Sequence, residues 1–242
     1  SCCPEPPLAS PLESPPNPPR TSHPTLGPSP GPRPAPPDRP RAVLFDMDGV
    51  LLQSGRLWHA VTNRVVAEFG LPAVDYGDFM ATFGQGVAAD LAQFYPGRTR
   101  EDVEDALKRH FLPQLGAMQP MAGAAEVLDD LAARGIARAV VTNTPTALAA
   151  RMLGHFRLLE RVQLLVGGGD AAEKPSPELI HLALARLGLE PGEVLYVGDS
   201  WADGAATRAA GVFMLGLDTD EGDRRIAALA EVPRWTEAGG RS

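Results

Sequence analysis

Four apolar runs in the sequence end on groups that can do chemistry. Ala42–Phe45 ends at Asp46, with Asp48 and Gly49 close behind in Phe45-Asp46-Met47-Asp48-Gly49. Ile136–Val141 ends at Thr142 and Asn143. Gln163–Val166 runs into Gly167–Gly169 and is followed by Glu173-Lys174-Pro175, while Val194–Val197 ends at Gly198 and Asp199, with Asp203 shortly after. Carboxylates attack as nucleophiles, move protons or hold hard cations, and a hydroxyl and an ammonium clamp an oxyanion. Lys174 stands out because the chain has only one other lysine, Lys108, among 22 cationic residues.

Taken singly these signals are ordinary. Asp-x-Asp-Gly after a strand serves as a turn, and Asp203 suits the first turn of a helix. In a parallel sheet, however, all four strand ends lie along one edge, so Asp46, Asp48, Asp199 and Asp203 converge with Thr142 and Lys174. Four carboxylates in a partly dry cleft repel one another by several kcal/mol at intermediate dielectric. A hard divalent cation relieves that repulsion, and oxygen ligands without His or Cys point to Mg²⁺. Lys174, Thr142 and the strand-end amides then suit a phosphoryl group as the anion that completes the site.

The elements that must hold these groups alternate short β-type runs with stretches of helical period, the pattern of parallel βαβ units. Val212–Leu215 supplies a fifth strand, and helices are expected over Ala122–Ala133, Thr146–Leu153, Pro177–Leu187, Trp201–Ala210 and Glu221–Ala230. The fold class is α/β: a doubly wound, Rossmann-like parallel sheet of five strands in the order 3-2-1-4-5. About 65 residues of helical pattern separate the first two strands, too long for one connection, so residues 54–119 are expected to form a helical cap over the strand edge. The catalytic core is then 41–53 plus 120–232, with a C-terminal tail at 233–242.

Composition sets the wider bounds. Residues 1–40 hold 16 of the 25 prolines and almost no large apolar side chains, so this tail is expected to be disordered. Two segments in it, Pro15–Arg20 and Pro34–Arg39, fit a polyproline ligand pattern, a minor alternative role. The net charge of −8 argues against nucleic acid or an anionic membrane surface as partner. Both cysteines, Cys2 and Cys3, lie in the tail, and no apolar run is long enough to span a membrane. A reducing, cytoplasmic setting and a monomer or homodimer are expected.

The motifs Asp46-x-Asp48-Gly49-Val50-Leu51, Thr142-Asn143, Lys174-Pro175 and Gly198-Asp199-xxx-Asp203 resemble the four motifs of the haloacid dehalogenase superfamily, with the insertion where that superfamily's first cap type lies. The resemblance implies that Asp46 is the nucleophile, Asp48 the general acid/base, and Thr142 with Lys174 the phosphoryl clamps. It also implies that Asp46, the Asp48 carbonyl and Asp199 hold Mg²⁺ while Asp203 orients its water, and that the Lys174–Pro175 peptide is cis. An acid at Asp48 has a use in phosphoryl transfer and none in carbon–halogen cleavage. Phe83-Gly84-Gln85-Gly86-Val87, Asn143 and the Gly-Gly-Gly-Asp run at 167–170 resemble phosphoglycolate phosphatases, which makes 2-phosphoglycolate the expected substrate and Gly84 and Gly86 candidate amide donors to its carboxylate. Trp58-His59 is more like sugar-phosphate phosphatases of the same cap type. Sugar phosphates, or a β-phosphoglucomutase-like phosphomutase, are therefore the alternative, with Trp58 and His59 as candidate substrate contacts.

Overall fold

A computed structural model of the chain describes residues 33–237. Six parallel strands form the central sheet: β1 (Ala42–Phe45), β4 (Ala137–Pro145), β5 (Leu164–Gly168), β6 (Val194–Gly198), β7 (Phe213–Leu217) and β8 (Arg224–Ile226). Their order is β5-β4-β1-β6-β7-β8, so the expected 3-2-1-4-5 core is present with one strand added at the edge. Both faces of this sheet are covered, which explains why β1 and β6 read as unbroken apolar runs. Helices α5 (Ala124–Ala133), α6 (Thr146–His155), α7 (Glu178–Leu187) and α8 (Trp201–Ala210) supply the crossovers.

The helix expected over Glu221–Ala230 does not form. Asp223 is held against β7 at both ends of its residue: its backbone N–H donates to the Met214 carbonyl (2.8 Å) and its carboxylate accepts from the Met214 N–H (2.9 Å). This anchor launches β8 in register with β7, Leu217 opposite Ile226. Nor do residues 233–237 form a tail. A 3₁₀ segment, Leu229–Thr236, buries Val232 and Pro233 and lays Trp235 on Phe213 with ring centroids 5.9 Å apart. The expected disorder of the N-terminal tail concerns, as far as residue 32, positions outside the described ones. Residues 33–40 carry neither helix nor strand, and Pro37 and Pro40 are buried.

Between β1 and β4 the chain leaves the core along β2 (Leu52–Gln53) and returns along β3 (Gln119–Pro120), and these two short strands pair antiparallel with Leu52 opposite Pro120. The insertion they carry holds α1 (Gly55–Glu68), α2 (Tyr76–Thr82), α3 (Val87–Phe94), α4 (Arg100–Phe111) and a 3₁₀ turn, Leu112–Ala117. Its helices close on an apolar interior that includes Val61, Val65, Phe79, Tyr95, Val103 and Phe111. No helix among the described residues is long and apolar enough to cross a membrane.

Candidate active site

The C-terminal ends of β1 and β4 face the insertion across a cavity. Its core side is lined by Asp46, Asp48, Thr142, Asn143, Thr144 and Pro145, and its other side by residues of α1, α2, α3, α4 and the loop between α2 and α3. Beneath it Lys174, 2 % exposed, sends its ammonium to four oxygens: Asp203 Oδ1 (2.7 Å), Asp46 Oδ1 (2.8 Å), Tyr196 Oη (3.0 Å) and the Val141 carbonyl (3.1 Å). Burial works against the charged lysine, but Asp203 and Asp46 outweigh it and hold the ammonium well above its usual range. A charge this deep survives only with such a complete set of acceptors.

Asp203 completes the same network. Its Oδ1 takes the Lys174 ammonium and the Tyr196 hydroxyl (2.8 Å), and its Oδ2 accepts the Ser200 hydroxyl (2.5 Å) and Ser200 N–H (3.1 Å) at the start of α8. Burial opposes its ionisation, yet Lys174 and these donors bring its carboxyl below the ordinary value. Asp46 is pulled the other way. Burial raises its carboxyl well above the usual range, Lys174 opposes this, and the charges of Asp203, Asp199 and Asp48 add to the rise. Oxygens of Asp46, Asp199 and Asp203 lie within 4.8 Å of one another. Three hard oxygen donors and a surplus of negative charge are what a divalent cation requires, and Gly49 makes room for the set: at φ +89° it lies where a Cβ would run into the Asp199 carboxylate.

The ligand expected from Asp48 is its main-chain carbonyl, and the carboxylate of this residue stands outside that cluster. It turns instead to three donors: Ser54 Oγ (2.5 Å), Thr144 Oγ1 (2.7 Å) and Trp58 Nε1 (2.9 Å). The first two were not apparent in the sequence. Ser54 sits where α1 would take its N-cap yet makes no cap hydrogen bond and spends its hydroxyl on Asp48. Tyr196 gives no such signal either, because a tyrosine inside a strand of buried residues reads as packing.

Other candidates divide. Thr142 lines the cavity and its hydroxyl accepts from the Thr144 N–H (3.1 Å). Asn143 lines it too, but its amide is engaged by protein: Oδ1 accepts the Lys174 N–H (2.7 Å) and Nδ2 donates to the carbonyls of Lys174 (2.8 Å) and Gly84 (2.9 Å). It positions the lysine loop and pins the insertion. Gly84 and Gly86 border the cavity at positive φ, and a Cβ on Gly86 would strike the Glu173 carboxylate. Their bare backbones let the insertion seat against the core. Trp58 reaches the cavity, but His59 does not: one residue along a helix turns about 100° away, and its ring bonds to the Val74 carbonyl (2.8 Å). The Lys174–Pro175 peptide is cis.

A covered α/β sheet with an acidic cluster and one buried lysine at its strand ends defines a class of hydrolytic site. The chain belongs to the haloacid dehalogenase-like hydrolases, whose family model matches residues 43–217. It is 35 % identical over 179 residues to an N-acetylmuramic acid 6-phosphate phosphatase of Pseudomonas putida, covering 72 % of this chain and 80 % of that one. A phosphoglycolate phosphatase of Xanthomonas campestris is 34 % identical over 178 residues, with the same coverage. Among solved structures, a predicted phosphoglycolate phosphatase from Haemophilus somnus superposes with a TM-score of 0.68 at 25 % identity, covering 82 % of this chain and 98 % of that one. A β-phosphoglucomutase from Clostridium difficile, 16 % identical with a TM-score of 0.70 over 80 % of this chain and 93 % of that one, shares the fold.

Proposed function

We propose that the protein hydrolyses a small phosphomonoester through a phosphoryl group carried on Asp46. The enzyme is a phosphatase of its family, and the observation that supports this mechanism is the crowding of Asp46, Asp199 and Asp203, the first and last of them paired with Lys174, beneath a capped cavity. Asp46 attacks phosphorus, the ester P–O bond breaks, and the departing oxygen takes a proton from Asp48. Water then attacks phosphorus and gives a proton to Asp48. The P–O bond to Asp46 breaks, which releases phosphate and restores both acids.

Lys174 and the Thr142 hydroxyl steady the transferring oxygens, and Asp203 holds Lys174 in place. Asp46, Asp199 and the main-chain carbonyl of Asp48 are the groups that would hold Mg²⁺, with Asp203 beside them. The ion, when bound, supplies Lewis-acid stabilisation of the phosphoryl oxygens.

For the substrate we favour 2-phosphoglycolate over N-acetylmuramic acid 6-phosphate. The cavity over Asp46 and Asp48 has a volume of about 70 Å³, small beside the roughly 300–1,000 Å³ of pockets that hold drug-sized ligands, and it favours a two-carbon leaving group; a neighbouring cavity of about 370 Å³, which shares Phe83 and is lined by Ser54, Arg56 and Asp199, is the space a larger sugar phosphate would need. A phosphomutase stays the alternative: no Arg or Lys is among the described residues that line the cavity over Asp46, but Arg56 lines the neighbouring one.

Turnover of an aryl phosphate should require Mg²⁺ and stop in EDTA. Acid quenching during turnover followed by borohydride reduction should convert position 46 to homoserine, detected by peptide mass. Undiminished activity in EDTA removes the metal from the mechanism, and intact Asp46 after trapping removes the covalent step.

A further inference from the structure

The cap wall of the cavity carries a single ionisable side chain among the described residues. Trp58, Phe79, Phe83, Val87 and Leu107 line it, and Asp90 on α3 is its ionisable member. No arginine among the described residues lines this cavity: Arg56 lies over the Tyr76 ring and borders the neighbouring cavity, Arg98 bonds to the Phe69 carbonyl, Arg100 to Glu104 and Glu173, and Arg109 to Glu68. A substrate carboxylate in this cavity therefore meets no cationic side chain among the described lining residues, and the acid it meets on the cap wall is Asp90.

The charge that bears on Asp90 shares its sign, although that group, Glu173, is itself paired with Arg100 of α4. Glu173, from the loop after β5, bears on it electrostatically, and Tyr95 at the end of α3 is close enough to feel its charge. Asp46 and Asp48 lie on the opposite side of the cavity, and α1 and α2 add to the lining only uncharged residues, Trp58, Thr62 and Phe79. Burial, with Glu173 adding to it, pushes the Asp90 carboxyl up to about 7. Both protonation states are thus accessible near neutral pH.

We propose that Asp90 is a specificity-determining residue that reads the charge of the leaving group: protonated, it donates to a carboxylate at the far end of the substrate, and ionised, it repels that carboxylate. A hydroxyl in the same place is accommodated in either state, because a carboxyl oxygen accepts its proton whether or not Asp90 carries one. A substrate carboxylate beside Asp90 further favours the protonated form, since two adjacent carboxylates hold one proton between them. This proposal rests on the phosphatase reading above.

The test compares 2-phosphoglycolate with 2-hydroxyethyl phosphate, which differ only in carboxylate versus CH₂OH. The ratio of their kcat/KM values, taken with saturating Mg²⁺, cancels titrations common to both, including those of the phosphate and the acidic cluster. In the wild-type enzyme the ratio should fall at least roughly tenfold between pH 6 and 8.5, the slope of one lost proton above its midpoint. In Asp90→Asn, or Asp90→Ser should the first fold poorly, the ratio should be flat with pH. A flat ratio in the wild type, or an undiminished slope in a folded variant, overturns the proposal. If an aryl phosphate is hydrolysed and neither small ester is, the proposal falls and the phosphatase reading stands. If no phosphate ester is turned over, the phosphatase reading itself fails.

Discussion

On the core side of the cavity, charge is matched atom by atom. Lys174 meets four oxygens, both oxygens of Asp203 are occupied, and Asp48 accepts from three donors. The cap side is built from Phe79, Phe83, Val87 and Leu107, with one carboxyl among them. On the proposed mechanism the difference divides the work: preorganised dipoles on the core would stabilise charge that develops during reaction, while the cap would exclude water and sort leaving groups by size and polarity. Substitutions on the two sides should therefore separate kcat from selectivity.

The sharpest break of that division is Lys174→Ala. Loss of the ammonium leaves Asp46 and Asp203 facing each other without compensation, so kcat should drop by roughly a hundredfold or more, for acidic and neutral esters alike. Removing one partner of a buried ion pair should also lower unfolding stability by about 3–5 kcal/mol, measurable by urea denaturation. Retained kcat would show that the charge matching of the core serves folding alone.

Gly86→Val is expected to have a smaller effect. Its side chain would push against Glu173 and Asn143 and hold the cap off the core, so kcat/KM should fall about tenfold for 2-phosphoglycolate and 2-hydroxyethyl phosphate equally. A loss confined to the carboxylate ester would instead mark the glycine amides as substrate donors, which is how the sequence alone reads them. Arg100→Ala should matter least. It removes the ion pair from α4 to Glu173, but Arg100 is 41 % exposed, and such pairs contribute about 1 kcal/mol or less. A two- to threefold rise in KM, erased by high salt, is the expected result.

The sequence reveals the core side of the site more fully than the cap side, for a physical reason. Asp46, Thr142, Lys174 and Asp199 are found because a parallel sheet brings strand ends together whatever the side chains do, and an apolar run that stops at a polar residue marks such an end. Tyr196, Ser54 and Thr144 are hidden because their roles depend on where a hydroxyl points. Asp90 is hidden more deeply, since an acid in the first turn of a helix suits the helix dipole and only cap packing brings it to the cavity wall. β8 is too short, at three residues, for its alternation to outweigh the helical spacing around it.

The ribbon of β2 and β3 gives the cap an unusual standing in the chain. Since Gln53 pairs with Gln119, the backbone departs from the core and comes back about one strand spacing away, roughly 5 Å. Seen from the sheet, everything between these residues is the loop of a tight hairpin. The closure entropy that the core must overcome is then set by the ribbon once it has paired, and only weakly by the length of what it carries. An α-helical cassette of another size or sequence could be spliced at the same two positions without altering the register of the sheet, and the catalytic half of the molecule would meet a new selectivity while keeping its own chemistry.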